Sequence, residues 1–255
     1  DHHAARSWIG SSTDFGRHSA ILVGDFLFSA ATAAADEQAL TLREDCARTF
    51  VRRFADMHAE VALGQYLDIT AEQIPLDPER TDALSVSDSL EVALHKSAHY
   101  SVVHPALLGA ICAAPSFDRV AGLLDVLETI LTPWGLAFQL RDDDLGVFGD
   151  PAVTGKPAGD DLREGKRTAL LALTWEASSP AERRALTDVL GVADASAEQI
   201  AAATDIVERN GRAAHEAEIA RLVADGDAAL EASTFDEGAR AMLRELCSIL
   251  TARRS

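Results

Sequence analysis

The sequence has 255 residues and a formal net charge of −18, from 23 Lys and Arg against 41 Asp and Glu. This charge disfavours general binding to nucleic-acid phosphates and to anionic membrane surfaces. Hydrophobic residues make up 47% and charged residues 25%, as in globular proteins, which argues against a disordered chain. No apolar run approaches the ~18 residues of a membrane helix, so we predict no transmembrane segment.

The sequence contains three cysteines, far apart and in no C-x-x-C spacing. They favour buried thiols in a reducing compartment over a disulfide framework or a zinc site, and we expect a cytoplasmic protein. The sequence does not begin with Met, and its first residues match no signal or transit peptide. We therefore expect that it begins inside a longer protein.

Apolar periodicity and helix caps predict helices from end to end and no strands, which gives a single all-α domain. Asp14 is the expected cap of the first helix, Pro105 should kink or end the third, and Pro133 should interrupt the fourth. In chain order, the predicted helices span 14–35, 40–69, 88–105, 116–148, 167–177, 181–190, 197–210, 213–232 and 235–253, with a loop rich in Gly, Pro and Asp over 149–159. Three helix starts carry the sequence pattern of a capping box: Ser179–Glu182, Ser196–Gln199 and Thr234–Glu237.

The second predicted helix breaks the rule that an amphipathic helix keeps charge off its apolar stripe. Its stripe leads to Asp68, with Gln65 one turn before it. A carboxylate on a core-facing stripe is costly unless it is paired or binds a cation. The alternative is a frayed helix end at which Asp68 is solvated.

A stronger exception lies at the end of the fourth predicted helix, before the loop. Gln139 precedes Asp142 and Asp143 by three and four residues, so the three side chains project from neighbouring positions on one face. Adjacent carboxylates repel each other unless a cation neutralises them, and hard oxygen ligands at this spacing suit Mg²⁺. The alternative is a solvated acidic turn.

The sequence has only three lysines: Lys96, Lys156 and Lys166. Two of them lie in the segment rich in Gly and Asp that follows the acidic pair. Carboxylates, Mg²⁺ and lysines together make a site for an anion such as diphosphate. This arrangement is no P-loop, because the G-x-x-x-x-G-K-[ST] spacing is absent and no strand precedes it.

The first of these lysines begins a Lys96-Ser97-Ala98-His99-Tyr100 segment, in which Lys96, Ser97 and Tyr100 can face a shared cleft. His95 and His99 are spaced i, i+4, which makes them a possible metal pair. For this pair we favour the alternative of two solvated histidines on a helix surface.

These motifs follow the order found in trans-isoprenyl diphosphate synthases (polyprenyl synthetases), which the sequence resembles from about Trp8 to Arg244. The segments that resemble the family's second aspartate-rich region are 138–143, 149–151, 154–157 and 161–168. Further matches are Gly24-Asp25, Gly64-Gln65-x-x-Asp68 and Lys96-Ser97-Ala98-x-Tyr100.

The resemblance, in particular to geranylgeranyl diphosphate synthases, implies one isoprenyl diphosphate synthase domain over 1–255. It implies a bundle of antiparallel helices around a deep apolar cavity, usually as a homodimer. The implied reaction joins isopentenyl diphosphate to an allylic diphosphate with the help of Mg²⁺. Its product would be geranylgeranyl diphosphate, or farnesyl or geranyl diphosphate.

The resemblance also implies roles for individual residues. Three carboxylates would bind magnesium: Asp142, Asp143 and Asp161, the last through a metal-bound water. Three lysines would contact the allylic diphosphate: Lys96, Lys156 and Lys166. The implied catalytic residues are Lys96, Ser97, Gln139 and Asp142, with Ser97 and Gln139 beside the place where the allylic cation forms. Two residues would line the cavity from the facing helix: Gln65 and Asp68.

The sequence departs from the family pattern in two ways. The second motif often reads D-D-x-x-D, and here Gly146 stands at its last position, while Asp144 lies on a different face. The first aspartate-rich motif and the basic residues that bind isopentenyl diphosphate would precede Trp8, so we expect them in a missing N-terminal part. The alternative function is a non-catalytic regulatory partner subunit of an active synthase.

Overall fold

The computed structural model describes residues 2–155 and 158–251, and it contains no β-strand over those ranges. The predicted all-α fold class is confirmed. The α-helices are α1 (His2–Ala5), α2 (Ser12–Ala39), α3 (Glu44–Gln73), α4 (Val86–Ala93), α5 (His104–Ala113), α6 (Phe117–Phe148), α7 (Pro151–Thr154), α8 (Asp160–Glu164), α9 (Ala169–Ala177), α10 (Pro180–Thr187), α11 (Ala197–Asn210), α12 (Arg212–Ala232) and α13 (Glu237–Thr251). A 3₁₀ turn spans Thr81–Ala83, and a π-helix spans Leu94–Val103 between α4 and α5.

The central element is α6, which packs against α12 and against the π-helix. Ile130, Leu131 and Trp134 on α6 are fully buried. The helix continues through Pro133, contrary to the predicted interruption. Proline removes one helical hydrogen bond, and the buried side chains on both sides of Pro133 offset that cost.

The start of α2 differs from the prediction, because its cap is Ser11 and not Asp14. The Ser11 hydroxyl accepts a hydrogen bond from the backbone N–H of Asp14, which stands in the first turn. The capping boxes of α10 and α11 are confirmed. In α13 the cap is Asp236, whose carboxylate accepts from the backbone N–H of Ala239, so the box predicted at Thr234 is wrong. Aspartate is as good a cap as threonine, and its position sets the first turn.

The helix predicted over 40–69 begins and ends later than expected. A turn after α2 delays the start to Glu44, and α3 continues to Gln73. Asp68 therefore lies more than a turn inside the helix and not at a frayed end.

The third predicted helix, over 88–105, is divided into three parts by the π-helix Leu94–Val103. Pro105 lies in the first turn of α5, directly after the π-helix, and the chain stays helical through it. Helices with i→i+5 hydrogen bonds are rare in proteins, and those that occur are often found at functional sites. Lys96 and Ser97 both lie on this π-helix.

The surface of α2 is unusually apolar for an exposed helix. Leu22 and Phe26 are 68% and 69% exposed, and an apolar cavity of about 500 Å³ lies between α2 and α3, lined in part by Phe28 and Phe54. By length and composition, α2 and α6 could each cross a membrane, although α6 is a core helix. Polar residues interrupt the apolar residues of both helices, so a search for uninterrupted apolar runs misses them. The absence of a transmembrane segment therefore stays a prediction.

Candidate functional site

A polar cavity of about 170 Å³ lies where α3, α4, the π-helix, α6 and α8 meet. The predicted site residues that line it are Asp68, Lys96, Ser97, Gln139, Asp142, Asp143, Asp161 and Lys166. Lys156 lies outside the described residues. Tyr100 is 41% exposed and lies outside this lining, so the structure does not bring it to the cleft with Lys96 and Ser97.

Two glycines allow the π-helix to approach its neighbours closely enough to form the cavity. A Cβ on Gly64 of α3 would lie 2.7 Å from the Cα of Lys96, a distance that no real side chain tolerates. A Cβ on Gly135 of α6 would lie 3.0 Å from the Cβ of the fully buried Ala98. Gln139 follows Gly135 by one helical turn, so this close contact brings Gln139 to the same cavity as Ser97.

Asp68 forms an ion pair with Lys96 across the cavity, between α3 and the π-helix. Their side chains are only 13% and 25% exposed, so water screens this pair less than a surface pair. The carboxylate on the apolar stripe is thus paired and not solvated. Gln65 is exposed and outside the cavity lining, and its amide nitrogen is 3.5 Å from the Asp68 carboxylate.

The acidic pair is divided between the cavity surface and the protein interior. Asp142 is exposed and faces the cavity, whereas Asp143 is buried. The Gln139 amide donates a hydrogen bond of 2.8 Å to Asp143 Oδ1. Burial raises the pKa of Asp143 to about 8; the Gln139 hydrogen bond opposes this shift, and the charges of Asp161 and Asp142 add to it.

Asp161 reaches this pair from α8, and Gly146 makes room for it. A Cβ on Gly146 would overlap the Asp161 carboxylate. Lys166 Nζ lies 2.5 Å from Asp161 Oδ1 and 3.0 Å from a Glu164 oxygen. Burial lowers the pKa of Lys166, but the hydrogen bonds and charges of these two carboxylates raise it overall. The Asp161 carboxylate therefore packs against α6 at Gly146, the last position of the motif.

Asp144, the third acidic residue in the row, faces away from the cavity. It is buried beside Arg141 and Arg212, with nearest nitrogen–oxygen distances of 3.6 and 3.2 Å. This placement agrees with the sequence expectation that Asp144 cannot replace the carboxylate absent at Gly146.

Three polar lining residues were not predicted: Ser89, Arg167 and Thr168. The guanidinium of Arg167 donates to the Gly165 carbonyl at 2.9 Å, and burial lowers the pKa of Arg167. Thr168 caps α9. Arg167 directly follows Lys166 in the same motif, and this adjacency was the available signal for it.

The residues present fit a hard divalent cation. Asp142, Asp143 and Asp161 supply carboxylate oxygens, the ligand type that Mg²⁺ prefers. Burial raises the pKa of Asp143, and the charges of Asp161 and Asp142 add to the rise, so a divalent cation beside this carboxylate would favour its ionised form. A cation at this end and the ammonium groups of Lys96 and Lys166 would together form a site for a diphosphate.

The raised pKa of Asp143 predicts a pH-dependent stability in the absence of divalent metal. Between the ordinary Asp value of 3.8 and about 8, the folded protein retains a proton that the unfolded chain has released. The free energy of unfolding should therefore fall as pH rises through this window. Denaturant unfolding in EDTA at a series of pH values measures it, and saturating Mg²⁺ should flatten the slope.

Asp143→Asn should remove most of this slope, and Asp125→Asn, which changes an exposed aspartate on the same helix, should keep it. Equal pH dependence in the two variants would contradict the assignment to Asp143.

The role of Gly146 predicts a specific cost for a single methyl group. Gly146→Ala should displace the Asp161 carboxylate, lower the free energy of unfolding by about 1–3 kcal/mol, and weaken Mg²⁺ binding. Gly122→Ala is the matched control on α6, because a Cβ there meets no atom within 4 Å, and alanine favours a helix by up to ~1 kcal/mol. Thermal unfolding and Mg²⁺ calorimetry compare the variants; the same result for both would refute the packing role.

Comparison with known proteins identifies relatives that are named as isoprenyl diphosphate synthases. The family model of polyprenyl synthetase matches residues 6–207. A crystal structure of geranylgeranyl pyrophosphate synthase from Corynebacterium glutamicum, complexed with isoprenyl diphosphate and magnesium, superposes with a TM-score of 0.85. It shares 36% sequence identity and covers 99% of this chain and 68% of that chain.

Curated relatives have similar descriptions. A geranylfarnesyl diphosphate synthase of Aeropyrum pernix is 31% identical over 198 residues, which are 77% of this chain and 57% of the relative. A short chain isoprenyl diphosphate synthase of Methanothermobacter thermautotrophicus is 32% identical over 197 residues, 77% of this chain and 55% of the relative. The chain thus spans little more than half the length of these relatives, and the predicted domain extent of 1–255 stays a prediction. With a family match over most of its length, the chain belongs to the polyprenyl synthetase family.

Proposed function

We propose that the protein is a trans-prenyltransferase, which joins isopentenyl diphosphate to an allylic diphosphate and forms a short-chain product, geranylgeranyl diphosphate. The observation that carries the proposal is one cavity in which Asp142, Asp143 and Asp161 face Lys96 and Lys166. The relatives named as short-chain isoprenyl and geranylgeranyl diphosphate synthases support the reaction class.

Binding of the allylic diphosphate would use both kinds of charge in the cavity. Lys96 and Lys166 supply compact ammonium groups for the phosphate oxygens. Asp142 and Asp143 would hold Mg²⁺, with Asp161 close to the same ion. When bound, Mg²⁺ would neutralise the negative charge that develops on the departing pyrophosphate.

Two neutral residues are placed to stabilise the opposite charge, the allylic carbocation. The Ser97 hydroxyl and the Gln139 amide line the same cavity. Because the Gln139 amide nitrogen donates to Asp143, its carbonyl oxygen is the end of the dipole that can face a cation. Preorganised dipoles of this kind stabilise charge without reorganisation during the reaction.

A prenyl chain also needs an apolar, water-poor environment, since water would trap the carbocation. The cavity of about 500 Å³ between α2 and α3 has a mainly apolar lining, including Phe28, Ala35, Val51 and Phe54. Its lining shares no residue with the polar cavity, so these contacts do not place a prenyl chain in it. The alternative function, a non-catalytic partner subunit, was motivated in part by Gly146, and the place of Gly146 beside Asp161 weakens that motive.

A steady-state assay of the protein with Mg²⁺, isopentenyl diphosphate and each of the five-, ten- and fifteen-carbon allylic diphosphates tests the proposal. Asp142→Ala should lower the rate by at least ~10²-fold, as expected for lost electrostatic stabilisation. Asp125→Ala, an exposed aspartate on the same helix, should keep it. No product from any primer would contradict the proposed activity and favour the partner subunit, and equal rates in the two variants would remove Asp142 from the mechanism.

We also propose that the protein is a homodimer in the cytoplasm, with α2 in the interface. Large apolar side chains that are at least half exposed on α2 support this: Ile21, Leu22, Val23, Phe26, Leu27 and Phe28. These side chains lie within about two turns of α2 and around its circumference, and exposed apolar surface of this extent marks an interaction site. The free thiols Cys46, Cys112 and Cys247 agree with a reducing compartment.

The dimer proposal predicts a mass of two chains in sedimentation velocity without detergent. Phe26→Glu should reduce the mass to one chain, because it puts a charge into the buried interface. Met242→Glu is the control, since Met242 on α13 is as exposed as Phe26. A single-chain mass for the unmodified protein would contradict the proposal.

A further inference from the structure

A second cluster of titratable side chains lies outside the cavity lining and joins α3 to the π-helix. His95 Nδ1 and His99 Nδ1 lie 2.6 and 2.5 Å from the same oxygen, Glu60 Oε1. His104 Nε2 lies 2.7 Å from the other oxygen, Glu60 Oε2. The two histidines that the sequence pattern favoured as solvated are thus only 29% and 16% exposed at their side chains.

The donor atoms of three of these residues converge on one point. One ligand atom each from Glu60, His95 and His99 lies within 4.8 Å of the others. Two imidazoles and one carboxylate are a ligand set of catalytic zinc sites, which keep a fourth position open. They also differ from the all-oxygen ligands of the candidate functional site, which suit Mg²⁺.

The carboxylate of Glu60 is the acceptor at the centre of the cluster. His95 Nδ1 and His99 Nδ1 lie at its Oε1, and His104 Nε2 lies at its Oε2. A divalent ion would displace the hydrogens between Glu60 Oε1 and the two Nδ1 atoms, so that the carboxylate oxygen and both nitrogens become its ligands and protons are released.

His104 has a different role from the other two histidines. Its side chain is 6% exposed, and its Nδ1 is buried with no hydrogen-bond partner among the described residues. As a metal ligand through Nε2, His104 would carry a buried N–H on Nδ1 without an acceptor, which is costly. The less costly arrangement has Nε2 donate its hydrogen to Glu60 Oε2, so that His104 fixes the carboxylate and leaves Oε1 toward His95 and His99.

The backbone holds this arrangement in place. Gly64 follows Glu60 by one turn of α3, and a Cβ on Gly64 would lie 2.7 Å from the carbonyl carbon of His95. The ligand-bearing part of the π-helix therefore lies directly against α3. A site built on two rigid, closely packed helices needs little rearrangement to accept an ion.

We propose that Glu60, His95 and His99 form a binding site for one divalent transition-metal ion of the zinc class, with His104 as the positioning residue for Glu60. Three protein ligands leave a fourth position for water. The ion would fix α3 to the π-helix immediately before Lys96. The proposal is independent of the proposed prenyltransferase activity.

Calorimetric titration of the metal-free protein with Zn²⁺, in excess Mg²⁺ to saturate the carboxylate cavity, tests the site. One Zn²⁺ per chain should bind, and Co²⁺ in its place should give the visible absorption of a site with nitrogen ligands. The double variant His95→Ala, His99→Ala should lose this binding, whereas His18→Ala, an exposed histidine on α2, should keep it. His104→Leu should weaken Zn²⁺ binding by about 10–100-fold, as for lost partners of metal ligands.

The titration of the unmodified protein decides the matter even if a variant fails to fold. If that protein binds no Zn²⁺ in excess Mg²⁺, the cluster is only a hydrogen-bond network and the proposal is wrong. Retention of the Zn²⁺ site by a folded double variant, as judged by circular dichroism, would equally overturn it. A rise in the thermal unfolding midpoint with Zn²⁺, present in His18→Ala and absent in the double variant, would support it.

Discussion

Carboxylates brought close together in a partly buried cavity must be neutralised by protons, lysines or metal ions, and this requirement organises the centre of the protein. Lys96 lies against Asp68, and Lys166 lies against Asp161. Asp143 has an amide as its hydrogen-bond partner, and that bond does not offset burial, so its pKa rises to about 8. The cavity thus has fixed positive charge at Lys96 and Lys166. At its acidic end, a bound cation would replace the proton on Asp143. An anion that arrives with its own divalent ion, such as a magnesium diphosphate, complements both halves.

The close approach that this charge balance needs depends on glycines at helix contacts. Gly64 brings α3 against the π-helix, Gly135 brings α6 against the other side of the π-helix, and Gly146 makes space for Asp161. Each of the three stands where a Cβ would overlap or press on a neighbouring element. A side chain there would separate the elements or move a carboxylate, and ionic contacts weaken as their groups move apart. Packing and electrostatics in this site are therefore set at the same positions.

Local features of the fold could be predicted from the sequence, and features that depend on distant partners could not. The helices and the capping boxes of Ser179 and Ser196 follow from periodicity and neighbouring residues. The clustering of Gln139 with Asp143 follows from helical spacing. The π-helix has no such signal, because a change from i→i+4 to i→i+5 bonding leaves composition and polarity unchanged. The partner of His95 and His99 is Glu60, at a sequence separation of 35 and 39 residues, and no pattern within one helix indicates it. For the same reason, the sequence indicates only that Gly146 lacks a carboxylate. The structure shows that Gly146 leaves space for the carboxylate of Asp161.

One face of α3 connects the two clusters, because Glu60, Gly64 and Asp68 follow one another at four-residue spacing. Glu60 contacts the histidines, Gly64 lies against the backbone of His95 and Lys96, and Asp68 forms an ion pair with Lys96. His95 and Lys96 are consecutive residues, so a displacement of one side of this contact moves the other. The two donor sets differ in chemistry, since one offers imidazole nitrogens and the other only carboxylate oxygens. Ions of the zinc class prefer the first set and Mg²⁺ prefers the second. An ion held by Glu60 would therefore fix the position of Lys96 without competing for the carboxylates that face the cavity.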